Sequence, residues 1–188
     1  GRGGENAEGL LLSGRKMTSI DVVMLSQLIK YNRTATELDL SGCGIEDHVG
    51  HQIADGLLSD GVSIGVVRLD NNLLGSATCS ALARAATNAA HLTVLSLAGN
   101  PLGNDGIADL MDQLGRSSVQ VLDLSRTGCT DEAVAAIENA LLVSKSFTNV
   151  QMNGNEMDDE TGAALLLPLL LALVILIMGS LSIATLLN

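Results

Sequence analysis

The chain has 188 residues and a formal net charge of −11, from 10 Lys+Arg against 21 Asp+Glu. That length suits one domain with at most a short appendage, and so acidic a chain is repelled by nucleic-acid phosphates. A hydrophobic content of 47% excludes a disordered chain, and three cysteines, Cys43, Cys79 and Cys129, are too few for a disulfide scaffold.

Residues 1–7 read as a glycine-rich N-terminal tail, too short to cap a fold. Its origin is open between a removed targeting peptide, a shortened sequence and an edge covered by a partner. From residue 8 to residue 160 the sequence repeats. LLLSGRKM begins at Leu10, LDLSGCGI at Leu38, VRLDNNLL at Val67, LSLAGNPL at Leu95, LDLSRTGC at Leu122 and VQMNGNEM at Val150. The starts lie 28, 29, 28, 27 and 28 residues apart.

A second column fixes the register. Fifteen residues after each start come Leu25, Ile53, Leu82, Leu110, Ile137 and Leu165, and four further on Ile29, Leu57, Ala86, Leu114, Leu141 and Leu169. That i, i+4 pairing is one face of a helix. Each unit therefore predicts a short strand, a turn and a helix of about three turns. Strand alternation sends Leu38 and Leu40, Leu95 and Leu97, and Leu122 and Leu124 into a shared core. No single unit can bury those faces alone, so stacked neighbours supply the core.

LDLSGCGI…IADGLL, LSLAGNPL…DLMDQL and LDLSRTGC…AIENALL resemble leucine-rich repeats of the ribonuclease-inhibitor type, over about residues 7 to 170. The resemblance implies an α/β solenoid of about five to six repeats, with parallel strands inside and helices outside, used for protein binding and not catalysis. The family's turn position, where an amide can bond successive backbones, holds Arg15, Cys43, Asn72, Asn100, Thr127 and Asn155. Cys43, Asn72, Asn100 and Asn155 match the family pattern. Arg15 departs from it, which makes the first repeat the weakest.

No charged residue follows Glu160, and the 28 residues from Thr161 to Asn188 are mostly Leu, Ile, Val and Ala. A bilayer core of about 30 Å needs roughly 20 helical residues. Residues 161–188 therefore read as a transmembrane helix containing Leu165, Leu169, Leu173, Leu176 and Gly179. From Gly179 onward small residues suit close packing by another helix. DDETGAALLLPLL from Asp158 aligns with TDEAVAAIENALL from Thr130, so the span is expected to continue the last repeat without a linker. The expected location is a membrane, single-pass with a C-terminal span, with organellar inner and thylakoid membranes as candidates. Neither flank carries the Lys or Arg that would set orientation.

No catalytic, cofactor or metal residue is assigned. His48 and His51 stand at i, i+3 near Asp47 and Asp55, but further ligands are missing, so they read as solvated helix residues. GxSxG and phosphate-loop motifs do not occur. The scattered cysteines read as buried free thiols. One feature does suggest binding. Val66, Val94 and Val121, each just before a repeat start, should face outward from the sheet as an apolar row. Asp39, Arg68, Ser96 and Asp123 lie beside it, a pattern expected of a protein-binding concave face.

The expected function is a non-catalytic, membrane-anchored protein-interaction module. It would be a structural or accessory subunit of a larger membrane complex, photosynthetic and respiratory complexes being candidates. Its partners would be other subunits, held through the solenoid and the membrane helix, and the lipid bilayer, with no nucleic acid. The alternative is a single-span receptor or adaptor whose repeats bind a soluble protein.

Overall fold

The computed structural model describes residues 9–157. Strands and helices alternate: β1 (Gly9–Leu11), α1 (Ser19–Tyr31), β2 (Glu37–Asp39), α2 (Asp47–Leu57), β3 (Val66–Arg68), α3 (Ser76–Asn88), β4 (Val94–Ser96), α4 (Gly103–Leu114), β5 (Val121–Asp123), α5 (Val134–Val143) and β6 (Asn149–Gln151). A single 3-10 turn, Asp131–Ala133, leads into α5. The expected span, with Leu165, Leu169, Leu173, Leu176 and Gly179, lies outside the described residues, as does the tail 1–7. Among the described residues no helix is long and apolar enough to cross a membrane.

The six strands form one parallel sheet in sequence order. Their central residues, Leu10, Leu38, Val67, Leu95, Leu122 and Val150, align across it. These are the six repeat starts, so the sequence period and the sheet register coincide. Leu38, Leu40, Leu95, Leu97, Leu122 and Leu124 are fully buried. The helix columns Leu25, Ile53, Leu82, Leu110 and Ile137, and Ile29, Leu57, Ala86, Leu114 and Leu141, close the same core from the other side.

The turns after the strands explain the asparagine column. Asn72 Nδ2 donates to the carbonyls of Leu40 (2.9 Å) and Leu69 (2.8 Å), and its Oδ1 accepts from Ile45 N (3.0 Å). Asn100 repeats this one unit on, donating to Leu69 and Leu97 and accepting from Leu74 N. Asn155 donates to Leu124 and Met152 and accepts from Thr127 N and Cys129 N. Each amide thus ties its own turn to the preceding one and satisfies buried backbone groups. At Arg15 that device is missing. The first repeat is tied to the second by Cys43, whose thiol donates to Leu12 O (3.3 Å), and by backbone bonds of the kind that join every repeat, here from Leu12 N to Asp39 O (2.8 Å) and Gly14 N to Ser41 O (2.7 Å).

Small residues stand at one stacking position in α2, α3 and α5, whereas α4 has the half-buried Gln113 there. Gly56 of α2 packs so closely on α1 that a Cβ there would stand 2.8 Å from Ser26 O. The matching positions in α3 and α5 are Ala85 and Ala140, both buried. In α1 the same position is Leu28, which is exposed together with Ile20 and Met24. This is the face that, in later repeats, packs on the repeat before.

Candidate protein-binding surface

The sheet register places the expected row side by side. Glu37, Val66, Val94, Val121 and Asn149 are successive cross-strand neighbours, and Asp39, Arg68, Ser96, Asp123 and Gln151 form a second row beside them. The valines are half-buried. Parallel strands stand about 4.8 Å apart, so each valine shades the next and the row forms a continuous apolar strip.

The polar border is more constrained than its residue types suggest. The Arg68 guanidinium is ion-paired with Glu37 across the β2–β3 step. Asp39 Oδ1 accepts from Ser41 N, and Asp123 Oδ1 accepts from Ser125 N, both at 2.9 Å. Asp70 Oδ1 accepts from Ala98 N (2.9 Å) and from the Ser96 hydroxyl. These aspartates shape the turns through side-chain to backbone bonds. Glu37 and Arg68 neutralise each other, so Asp39 and Asp123 leave the strip with a negative border.

Asp47, expected to be a solvated neighbour of the two histidines, has a different role. Its Oδ1 accepts from Gly75 N (2.8 Å) and Thr78 N (2.9 Å), capping α3 from the preceding repeat. Burial works to raise its carboxyl pKa, but the bonds from Thr78, Gly75 and Ala77 outweigh it and hold the group below its ordinary value. Asn104 reaches the 3-10 turn before α5 from the preceding repeat, accepting from Thr130 N and donating to Glu132, both at 2.8 Å. By contrast, α1 has its own capping box, Thr18 with Asp21.

His48 Nδ1 lies 3.2 Å from Glu46, whereas His51 pairs with Gln52 at 2.7 Å, so the two rings have separate partners. Among the described residues no group of three or more His, Cys, Asp or Glu could hold a metal ion. The three thiols are free and buried. Burial, with the charges of Asp47 and Asp109, pushes Cys79 up to about 12, and burial, with Asp131, pushes Cys129 up to about 11.

A family model described as "Leucine Rich repeat" matches residues 31–48 and 88–111. Ribonuclease inhibitor of Sus scrofa is 28% identical over 137 residues, 72% of this chain and 30% of that protein. NACHT, LRR and PYD domains-containing protein 5 of Bos taurus is 26% identical over 152 residues, 80% of this chain and 14% of that protein. Protein 14 of the same series, from Mus musculus, is 30% identical over 131 residues, 69% of this chain and 13% of that protein. The chain thus spans less than a third of the length of these curated relatives. Among solved structures, the leiomodin-1 actin-binding site 2 superposes with a TM-score of 0.56 at 15% identity, covering 94% of this chain and 87% of that one. The tropomodulin C-terminal domain of Caenorhabditis elegans gives a TM-score of 0.56 at 12% identity, covering 94% and 90%. Six strands in repeat register, turns tied by a shared asparagine ladder and these likenesses make the chain a leucine-rich-repeat protein.

Proposed function

We propose that the chain is a non-catalytic module that binds a protein across its concave face. We propose further that residues 161–188 anchor it in a membrane as a structural or accessory subunit of a larger complex. The binding reading is carried by the alignment of Val66, Val94 and Val121 on three adjacent strands, with Asp39 and Asp123 at their border. An apolar strip edged by carboxylates suits an apolar partner segment flanked by Lys or Arg. The anchor is supported by 28 consecutive uncharged, mostly aliphatic residues.

Val94→Asp and Val121→Asp each place a charge in the strip without touching the core leucines. Partner affinity of the intact chain should fall on the order of thirtyfold, as for a central interface residue, with an unchanged circular dichroism spectrum. Unchanged binding would remove this face from the site. Alkaline carbonate extraction tests the anchor, and a native gel of the detergent extract tests the complex. Co-migration with a large assembly supports the subunit reading, whereas a free monomer favours the receptor or adaptor.

A further inference from the structure

Because the sheet is parallel, the five helices among the described residues run in one sense and the solenoid has two unlike edges. One edge runs from each strand into the first residues of the next helix. It carries Glu46, Asp47, Asp70, Asp131, Glu132 and Glu156, with Arg15, Lys16 and Arg126 among them. The other runs from the last two residues of each helix to the next strand. There Lys30, Arg33, Arg116 and Lys145 stand with a single carboxylate, Asp60; Asp55 and Asp112 precede these segments on the helices, and Glu37, paired with Arg68, follows on β2. In a chain of net charge −11, this edge is locally cationic.

Helix dipoles favour acids at helix starts and bases at helix ends. They do not account for the apolar side chains on the same edge. Tyr31 is 72% exposed, Leu142 58%, Val143 44% and Leu58 38%. Arg33 does serve the end of α1, donating to Lys30 O (2.8 Å) and Asn32 O (3.0 Å), whereas Lys145 lies beyond the last residue of α5. Two open pockets bring the two chemistries together. One of about 720 Å³ is lined by Arg116, Lys145, Val143, Ser118 and Thr148. Another of about 360 Å³ is lined by Lys30, Arg33, Tyr31 and Leu58, with Asp60.

We infer that this edge rests on the surface of an anionic bilayer. Its cations would meet lipid phosphates and carboxylates while Tyr31, Leu58, Leu142 and Val143 enter the interfacial layer. Cations interleaved with exposed aliphatic and aromatic groups are the pattern of a membrane interface, where Tyr and long basic side chains place one end in each medium. The inference is consistent with the anchor proposed above and partly rests on it.

The test uses the full chain carrying Tyr31→Trp, the sole Trp in the molecule. It is reconstituted with vesicles of phosphatidylcholine alone or with phosphatidylserine added, each containing brominated acyl chains. Emission should be blue-shifted and more strongly quenched in the phosphatidylserine vesicles. Arg116→Glu with Lys145→Glu should abolish that difference, as should high salt. These two exposed positions are remote from α1, so the loss is separable from any damage to the reporter helix. Equal quenching in both vesicle types overturns the inference. So does a polyglutamate chain that binds with the same residue dependence while vesicles give no quenching, which would put an acidic polypeptide on this edge. Carbonate separates the two readings. Protein stripped from the vesicles but showing serine-lipid-dependent quenching at neutral pH sinks the anchor and keeps the edge contact. Protein retained without that dependence does the reverse.

Discussion

Asn100 is almost fully buried and makes four hydrogen bonds to backbone groups of two repeats, one of them long at 3.5 Å. Asn100→Ala leaves those groups without partners where water does not reach, and each such group costs about 1–3 kcal/mol. We expect a loss of about 3 kcal/mol in urea unfolding, given partial relaxation. Asn155 makes equivalent bonds but is half-exposed, so water can replace them and Asn155→Ala should cost about 1 kcal/mol. Equal losses would show that desolvation is not what gives the ladder its strength. Asp47 adds a pH dependence. Its folded pKa lies below the ordinary value of 3.8, so its cap on α3 is fully present above that value and is lost as pH falls through the folded pKa. Asp47→Ala should therefore destabilise by about 1 kcal/mol at neutral pH, the ordinary worth of an N-cap. The gap between variant and parent should narrow below about pH 4, and a constant gap would mean that the carboxylate is not the capping group.

At the scale of elements, repeat spacing is set by how closely one helix approaches the next. Gly56 lies inside α2, where glycine ordinarily costs about 1 kcal/mol relative to alanine. Gly56→Ala should nonetheless destabilise, because its Cβ would meet Ser26 O at 2.8 Å and Ile29 Cβ at 3.2 Å. The first of these is backbone and cannot move aside as a side chain would. Overpacking of this kind costs typically 1–3 kcal/mol, enough to reverse the propensity gain. A variant that melts higher than the parent would show that α1 and α2 can separate freely. The same geometry explains Leu28. Among the described residues no helix lies against that face of α1, so its large side chain meets no neighbour there.

Taken whole, the molecule was legible in its sequence wherever a residue reported on its own repeat. The leucine columns fixed strand centres and helix faces because burial repeats with the chain, and the turn asparagines followed because their partners lie one unit away. Links between repeats outside that asparagine column were not legible. The Asp47 cap of α3, the Asn104–Thr130 bond ahead of α5 and the Glu37–Arg68 pair join residues 26 to 31 positions apart that have no shared local motif. On the concave face the valine row could be read, but not that Asp39 and Asp123 each hold a turn. How these links combine into cooperativity can be followed through the thiols. Cys43, Cys79 and Cys129 belong to the second, third and fifth repeats, and all three are buried. Burial raises each thiol pKa, so little thiolate, the reactive form, is present near neutral pH until a repeat opens. In a stacked array stability is a sum of nearest-neighbour terms, and opening begins at the ends. Single-cysteine variants pulsed with a thiol reagent in mild urea should therefore label Cys79 last, after Cys43 and Cys129. Were Cys79 to label first, opening would begin in the middle of the array, and the nearest-neighbour description of this solenoid would fail.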